Sequence, residues 1–121
     1  MDLSGDLGPA LDRLAVHVKG HRLVETDDFD GAIAGLDVLY QTRIQAERFA
    51  SPDEYERYRG VYVVTVDLMR RLPEHAILMH PLPRVGEIDP QVDADPRAAY
   101  FRQARNGLWT RMAVLDWAIE R

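Results

Sequence analysis

The segment Ile77-Leu-Met-His-Pro-Leu-Pro-Arg-Val85 constrains this chain more than any other. An apolar run enters His80, and two prolines then bracket Leu82. A short apolar run reads as a buried strand, and Pro-x-Pro stops it in a loop. Each proline fixes its own φ and biases the preceding residue toward extended geometry. A loop stiffened in this way has little entropy left to lose, which suits a small-ligand site. The same pattern also serves as a plain strand-to-helix connector, and taken alone the segment leaves both readings open.

The rest of the chain supplies an alternating framework. Pro9 opens a helical stripe of Leu11, Leu14, Ala15 and Val18 that Gly20 closes. Arg22–Thr26 reads as a short strand. Asp27 or Asp28 then caps a helix carrying Phe29, Ile33 and Leu36. Asp37–Gln41 is the second strand, Ser51-Pro-Asp-Glu54 a helix start, and Gly60–Val64 an extended stretch. Val66–Leu72 forms a short helix and Ala76–Met79 the third strand. Asp95-Pro-Arg begins a helix through Gln103, and Asn106 caps a last helix from Gly107 to Glu120. Strands alternating with helices through short connections imply parallel pairing and right-handed crossovers. The fold class is therefore α/β, with three or four parallel strands. Ligands in such sheets bind beyond the C-terminal strand ends. Thr42–Gln45 and His80–Arg84 follow two of those ends, so both motifs fall on one edge.

Bulk properties exclude several classes. A length of 121 residues allows one small domain. A net charge of −5 argues against a nucleic-acid or anionic-membrane surface. The chain has no cysteine, hence no disulfide or thiol chemistry, which fits the cytoplasm. No apolar run approaches the 20 or so residues of a membrane span. No cofactor motif is present. His17 and His21 stand four apart, but Gly20 between them weakens a metal-binding reading. Asp27, Asp28 and Asp30, and likewise Asp93 and Asp95, read as capping groups.

Arg43 and Gln45 are the residues most suited to an anionic substrate. Two apart in extended chain, they point to one side. A guanidinium fork binds a carboxylate through two hydrogen bonds, and Gln offers both donor and acceptor. A surface ion pair for Arg43 is the plainer alternative. Histidine as a residue type titrates near neutrality, which makes His80 a candidate acid or base, although a structural role explains it as well.

Three blocks carry a resemblance. Val38-Leu-Tyr-Gln-Thr-Arg-Ile-Gln-Ala-Glu-Arg-Phe49 is the first, and Met79-His-Pro-Leu-Pro-Arg-Val-Gly-Glu-Ile88 the second. Asp95-Pro-Arg-Ala-Ala-Tyr-Phe-Arg-Gln-Ala-Arg-Asn-Gly107 and the following Arg111-Met-Ala-Val-Leu115 make the third. In this order they closely resemble the C-terminal, aspartate-binding part of the aspartate carbamoyltransferase catalytic chain, over about residues 9–119. The resemblance implies a partial Rossmann-like three-layer domain. It also implies that Arg43 and Gln45 bind aspartate, with Glu47 positioning Arg43. Leu82 and Pro83 match backbone contacts to carbamoyl phosphate, with a cis Leu82–Pro83 bond. Arg84 and His80 take supporting roles. Two positions depart from the pattern: Ala46 stands where the family has lysine, and Arg105 where it has glutamate.

The family's Ser-Thr-Arg-Thr-Arg phosphate loop does not occur in these 121 residues. Residues 1–106 are therefore expected to form an incomplete aspartate-binding domain. Residues 107–121 are expected to form a helix that docks on a carbamoyl phosphate domain of another chain. That helix is apolar nearly all round, and such helices are normally buried on several sides. The expected function is that of the small subunit of a split, hetero-oligomeric carbamoyltransferase, inactive alone. It would pass a carbamoyl or related acyl group from an acyl phosphate to the L-aspartate amine. The alternative is a non-catalytic truncated paralogue that binds and regulates or stabilises a full-length transferase.

Overall fold

The structure, a computed structural model, describes Val24 and residues 26–120. The stripe from Pro9, the His17/His21 pair and most of the Arg22–Thr26 strand lie outside the described residues. Four α-helices and two strands follow in order: α1 Phe29–Ile33, β1 Val38–Tyr40, α2 Pro52–Tyr58, α3 Val66–Arg71, β2 Ile77–Met79 and α4 Tyr100–Ile119. Short 3-10 turns occupy Ala46–Arg48 and Pro90–Ala94.

Local chemistry sets most of these boundaries. Asp28 caps α1 by accepting the Gly31 N–H at 2.9 Å. Ser51 caps α2 by accepting the Glu54 N–H at 3.2 Å, with Pro52 in the first turn. Gly60 adopts φ +76° just past the end of α2, a conformation that costs a residue with a Cβ. Thr65 caps α3 in the same manner as Ser51 caps α2. The carbonyls at the end of α3 are held by Arg97, whose guanidinium donates to Met69 O at 2.7 Å and to Leu72 and Pro73 O at 3.3 Å.

β1 and β2 pair in parallel, with Val38 opposite Ile77 and Tyr40 opposite Met79. Parallel neighbours need a crossover, and residues 41–76 with α2 and α3 provide it. The described sheet has two strands, with two single-residue parallel bridges beside it: Leu78 with Ala98, and Val64 with Ile88. Of the extended stretch expected at Gly60–Val64, only Val64 pairs. The core gathers Ile33, Val64, Met69, Leu72, Leu78, Ile88, Val92 and Tyr100. No helix among the described residues is long and apolar enough to cross a membrane.

The C-terminal third differs from the sequence expectation. Asp95 starts no helix. It accepts the Arg97 N–H at 2.9 Å in a turn, and α4 begins at Tyr100 with no side-chain cap. Nor does Asn106 break the chain: its carbonyl accepts the Thr110 hydroxyl at 3.0 Å inside one unbroken helix. Gly107 costs only about 1 kcal/mol in a helix interior, too little to interrupt twenty helical residues. Beyond Gly107 the helix presents Leu108, Trp109, Met112, Val114, Leu115 and Ile119 to solvent, each more than half exposed.

Candidate active site

β1 and β2 end side by side, and the Gln41 N–H donates to Met79 O at 3.0 Å. The chain leaves both ends along one edge, as the strand order requires. An open cleft of about 830 Å³ lies there, lined by Thr42–Gln45 from one strand end and His80–Pro83 from the other. Phe29, Tyr40, Tyr58 and Tyr62 form aromatic walls. Five of the seven residues singled out from sequence thus line one cleft: the four expected ligand contacts Arg43, Gln45, Leu82 and Pro83, and His80 from the supporting three.

Arg43 is held by Glu47. Its Nη2 lies 2.6 Å from Glu47 Oε1 and its Nη1 3.5 Å from Oε2. The hydrogen bond and charge of Glu47 push the Arg43 pKa up. The Glu47 backbone N–H and Arg43 together hold the Glu47 carboxyl below its ordinary range. Both side chains face water, at 42% and 59% exposure, so the pair orients Arg43 without withdrawing it from a ligand. Glu47 itself does not line the cleft.

The proline loop is built differently. The Leu82–Pro83 bond is cis, and Leu82 has φ +50°. The Leu82 N–H donates to His80 Nδ1 at 2.8 Å. A backbone N–H can only donate, so Nδ1 carries a lone pair and Nε2 carries the proton. Nε2 then donates to Glu87 Oε1 at 2.6 Å. The other Glu87 oxygen accepts the Val85 N–H at 2.8 Å. Burial pushes the Glu87 carboxyl up, but the Val85 and Glu87 backbone N–H groups and His80 outweigh it and leave it below its usual value. His80 is 1% exposed, and its own N–H donates to Gln103 Oε1 at 3.0 Å. Gln103 Nε2 in turn donates to the Tyr40 hydroxyl at 3.0 Å.

Arg84 turns away from the cleft. Its Nη2 lies 2.7 Å from Asp93 Oδ2 and its Nη1 3.1 Å from the Tyr100 hydroxyl. The guanidinium also sits 5.6 Å from the Tyr100 ring centre and 5.8 Å from that of Phe101. Asp93 is therefore an ion-pair partner and not a helix cap. It accepts from the Tyr100 hydroxyl as well, and burial with this acidic neighbour pushes Tyr100 up to about 12. Glu87, Gln103 and Tyr40 carried no sequence signal as site residues. Their roles depend on contacts across loops that no periodicity reveals. Among the described residues no cluster of three His, Cys, Asp or Glu groups could hold a metal ion.

The fold agrees with comparison to known proteins. The profile of the aspartate/ornithine carbamoyltransferase Asp/Orn-binding domain matches residues 10–118. The chain is 55% identical over 92 residues to the chloroplastic aspartate carbamoyltransferase of Oryza sativa subsp. japonica, covering 75% of this chain and 25% of that protein. It is 47% identical over 109 residues to the aspartate carbamoyltransferase catalytic subunit of Haloquadratum walsbyi, covering 90% and 36%. Among solved structures, Trypanosoma cruzi aspartate transcarbamoylase in complex with carbamoyl phosphate and aspartate superposes with a TM-score of 0.76. The identity there is 41%, over 91% of this chain and 36% of that one. The chain belongs to the aspartate/ornithine carbamoyltransferase family and carries its Asp/Orn-binding domain. It spans between a quarter and about a third of the length of these relatives.

Proposed function

We propose that this chain supplies the aspartate-binding half of a carbamoyl transfer site, with a second polypeptide supplying the carbamoyl phosphate half. The observation that carries the reading is the shared cleft. It brings an oriented cation, Arg43, and Gln45 to face the backbone of Leu82 and Pro83. In this reading Arg43 pairs with a carboxylate of L-aspartate and Gln45 contacts the same substrate. The Leu82 and Pro83 backbone holds the carbamoyl group of carbamoyl phosphate. Glu47 keeps Arg43 in place. His80 shapes the loop, and Arg84 braces it from behind. The aspartate amine attacks the carbamoyl carbon, the C–O bond to phosphate breaks, and N-carbamoyl aspartate and phosphate leave. Binding the departing phosphate needs several strong donors, which this reading assigns to the second polypeptide.

The division of labour along the chain follows. Residues 1–106 form the binding domain, and residues 107–121 dock on the carbamoyl phosphate domain of the partner. The exposed apolar residues of α4 support this, since a patch of that kind marks an interaction surface. The test is co-purification with candidate partners, followed by a carbamoyl aspartate assay of the chain alone and of the complex. Turnover is expected only in the complex. Turnover by the isolated chain would refute the split arrangement. A stable complex with a full-length transferase whose activity is indifferent to Arg43 would favour a regulatory paralogue.

A further inference from the structure

The loop at residues 81–83 has an unusual donor inventory. Pro81 and Pro83 have no backbone N–H. The one N–H in the segment, that of Leu82, is consumed by His80 Nδ1 at 2.8 Å. The loop therefore offers the cleft carbonyl acceptors and no backbone donor. We propose that His80 and Glu87 are positioning residues that set donor specificity by keeping the Leu82 N–H out of the cleft, so that the loop accepts an acyl phosphate bearing an amide N–H and discriminates against one without it. The inference rests on the proposed function for the ligand's identity, and its first test does not.

The chain of cause runs through the ring. Glu87 accepts from Nε2–H at 2.6 Å and is fixed in turn by the Val85 N–H. With the proton held on Nε2, Nδ1 must present its lone pair to Leu82. Gln103 pins the His80 backbone to α4, and the ring itself is held at both nitrogens by Glu87 and the Leu82 N–H. The ring is buried at 1% exposure, which makes loss of Glu87 at Nε2 costly. A carbamoyl group would find acceptors for its N–H bonds at this loop. An acetyl group would leave them unpaired, and unpaired buried acceptors are what hydrogen-bonding sites use to reject analogues.

Two substitutions separate positioning from space-filling. His80→Asn places an amide oxygen near the Nδ1 site and can still accept the Leu82 N–H. His80→Gln reaches the Nε2 site instead and leaves that N–H free. The first measurement is NMR on the full chain: the protonation of the two His80 ring nitrogens, and the exchange protection of the Leu82 amide. The expected result is a proton on Nε2 only, with Leu82 protected in the parent and His80→Asn and unprotected in His80→Gln and Glu87→Ala. A proton on Nδ1 in the parent, or any other order of protection among folded variants, overturns the proposal. Should the variants fail to fold, the ring measurement on the parent still decides it. The second measurement is the carbamoyl phosphate to acetyl phosphate preference in kcat/KM of the reconstituted complex. His80→Gln should reduce that preference by about tenfold, the scale of one lost hydrogen bond, while His80→Asn keeps it and KM for aspartate holds in both. An unchanged preference in His80→Gln overturns the specificity role. A complex with no turnover at all counts against the proposed function, with the NMR result standing separately.

Discussion

Replacing Arg43 by alanine should damage substrate use while sparing the fold. Arg43 is 42% exposed, and Glu47, its ion-pair partner among the described residues, is 59% exposed. Exposed pairs of this kind contribute about 0–1 kcal/mol to stability. No core residue depends on Arg43, so the melting temperature should move by only about a few degrees. The cost at the site is larger. A hydrogen bond to a charged group contributes about 1.5–3 kcal/mol, so losing the guanidinium from an aspartate carboxylate should cost about 10- to 150-fold in kcat/KM for aspartate. The parameters for carbamoyl phosphate should change far less. Arg43→Lys should recover only part of the loss, because a point charge cannot reproduce the two-pronged contact. The assay is steady-state kinetics of the reconstituted complex, each substrate varied in turn, beside a thermal melt of each variant. Unchanged aspartate kinetics would refute the site assignment. A melting shift as large as that of a core substitution would refute the view of Arg43 as a surface group.

Leu78 is fully buried in the core and bridged to Ala98, so Leu78→Ala should cost about 2–5 kcal/mol, read as a shifted denaturant midpoint. Trp109→Glu places a charge in the exposed apolar part of α4; circular dichroism should be unchanged, and co-elution with the partner should be lost. The Tyr100 pKa, raised to about 12 from 10.0, gives stability that is whole below pH 10 and lost as pH rises through about 12. Two units correspond to about 2–3 kcal/mol, so Tyr100→Phe should resist alkaline unfolding better than the parent. Arg97 depresses the Asp95 carboxyl below its ordinary 3.8. That contribution is whole above 3.8 and fades as pH falls through the lower folded value, so Asp95→Asn should flatten the acid side of the stability profile.

Where local chemistry decides structure, the sequence was legible. Apolar runs placed β1 and β2 within a residue or two, and Ser51-Pro52 marked the start of α2. The parallel order alone puts Arg43 and Leu82 on the same edge. The start of α4 differs from the sequence expectation because two good capping residues, Asp95 and Asn106, are engaged elsewhere. Asp95 serves Arg97, which in turn closes the end of α3, and Asn106 lies inside a helix whose first turn is secured by the burial of Tyr100. The Glu87–His80–Leu82 chain was illegible for another reason. Its members are seven and two residues apart in a loop, where spacing carries no fixed direction, and only the folded backbone shows that the ring reaches both. Arg84 stood beside the ligand loop in sequence but points to Asp93 and Tyr100 in space. Adjacency along the chain does not predict this, because side-chain direction in a loop follows no fixed period.

Helix α4 is also a mechanical part. At 1.5 Å per residue its twenty residues make a rod of about 30 Å. One end is anchored: Tyr100 is buried and hydrogen-bonded to Arg84, which directly follows Pro83, and Gln103 holds the His80 backbone. The other end carries the apolar surface and stands clear of the described core. A tilt of about 5° at the anchored end displaces the free end by about 2–3 Å over that length. Read in reverse, a contact that moves the free end by a few ångströms reaches the proline loop as a rotation of about 5°. The cleft and the apolar surface thus sit at the short and long arms of one lever.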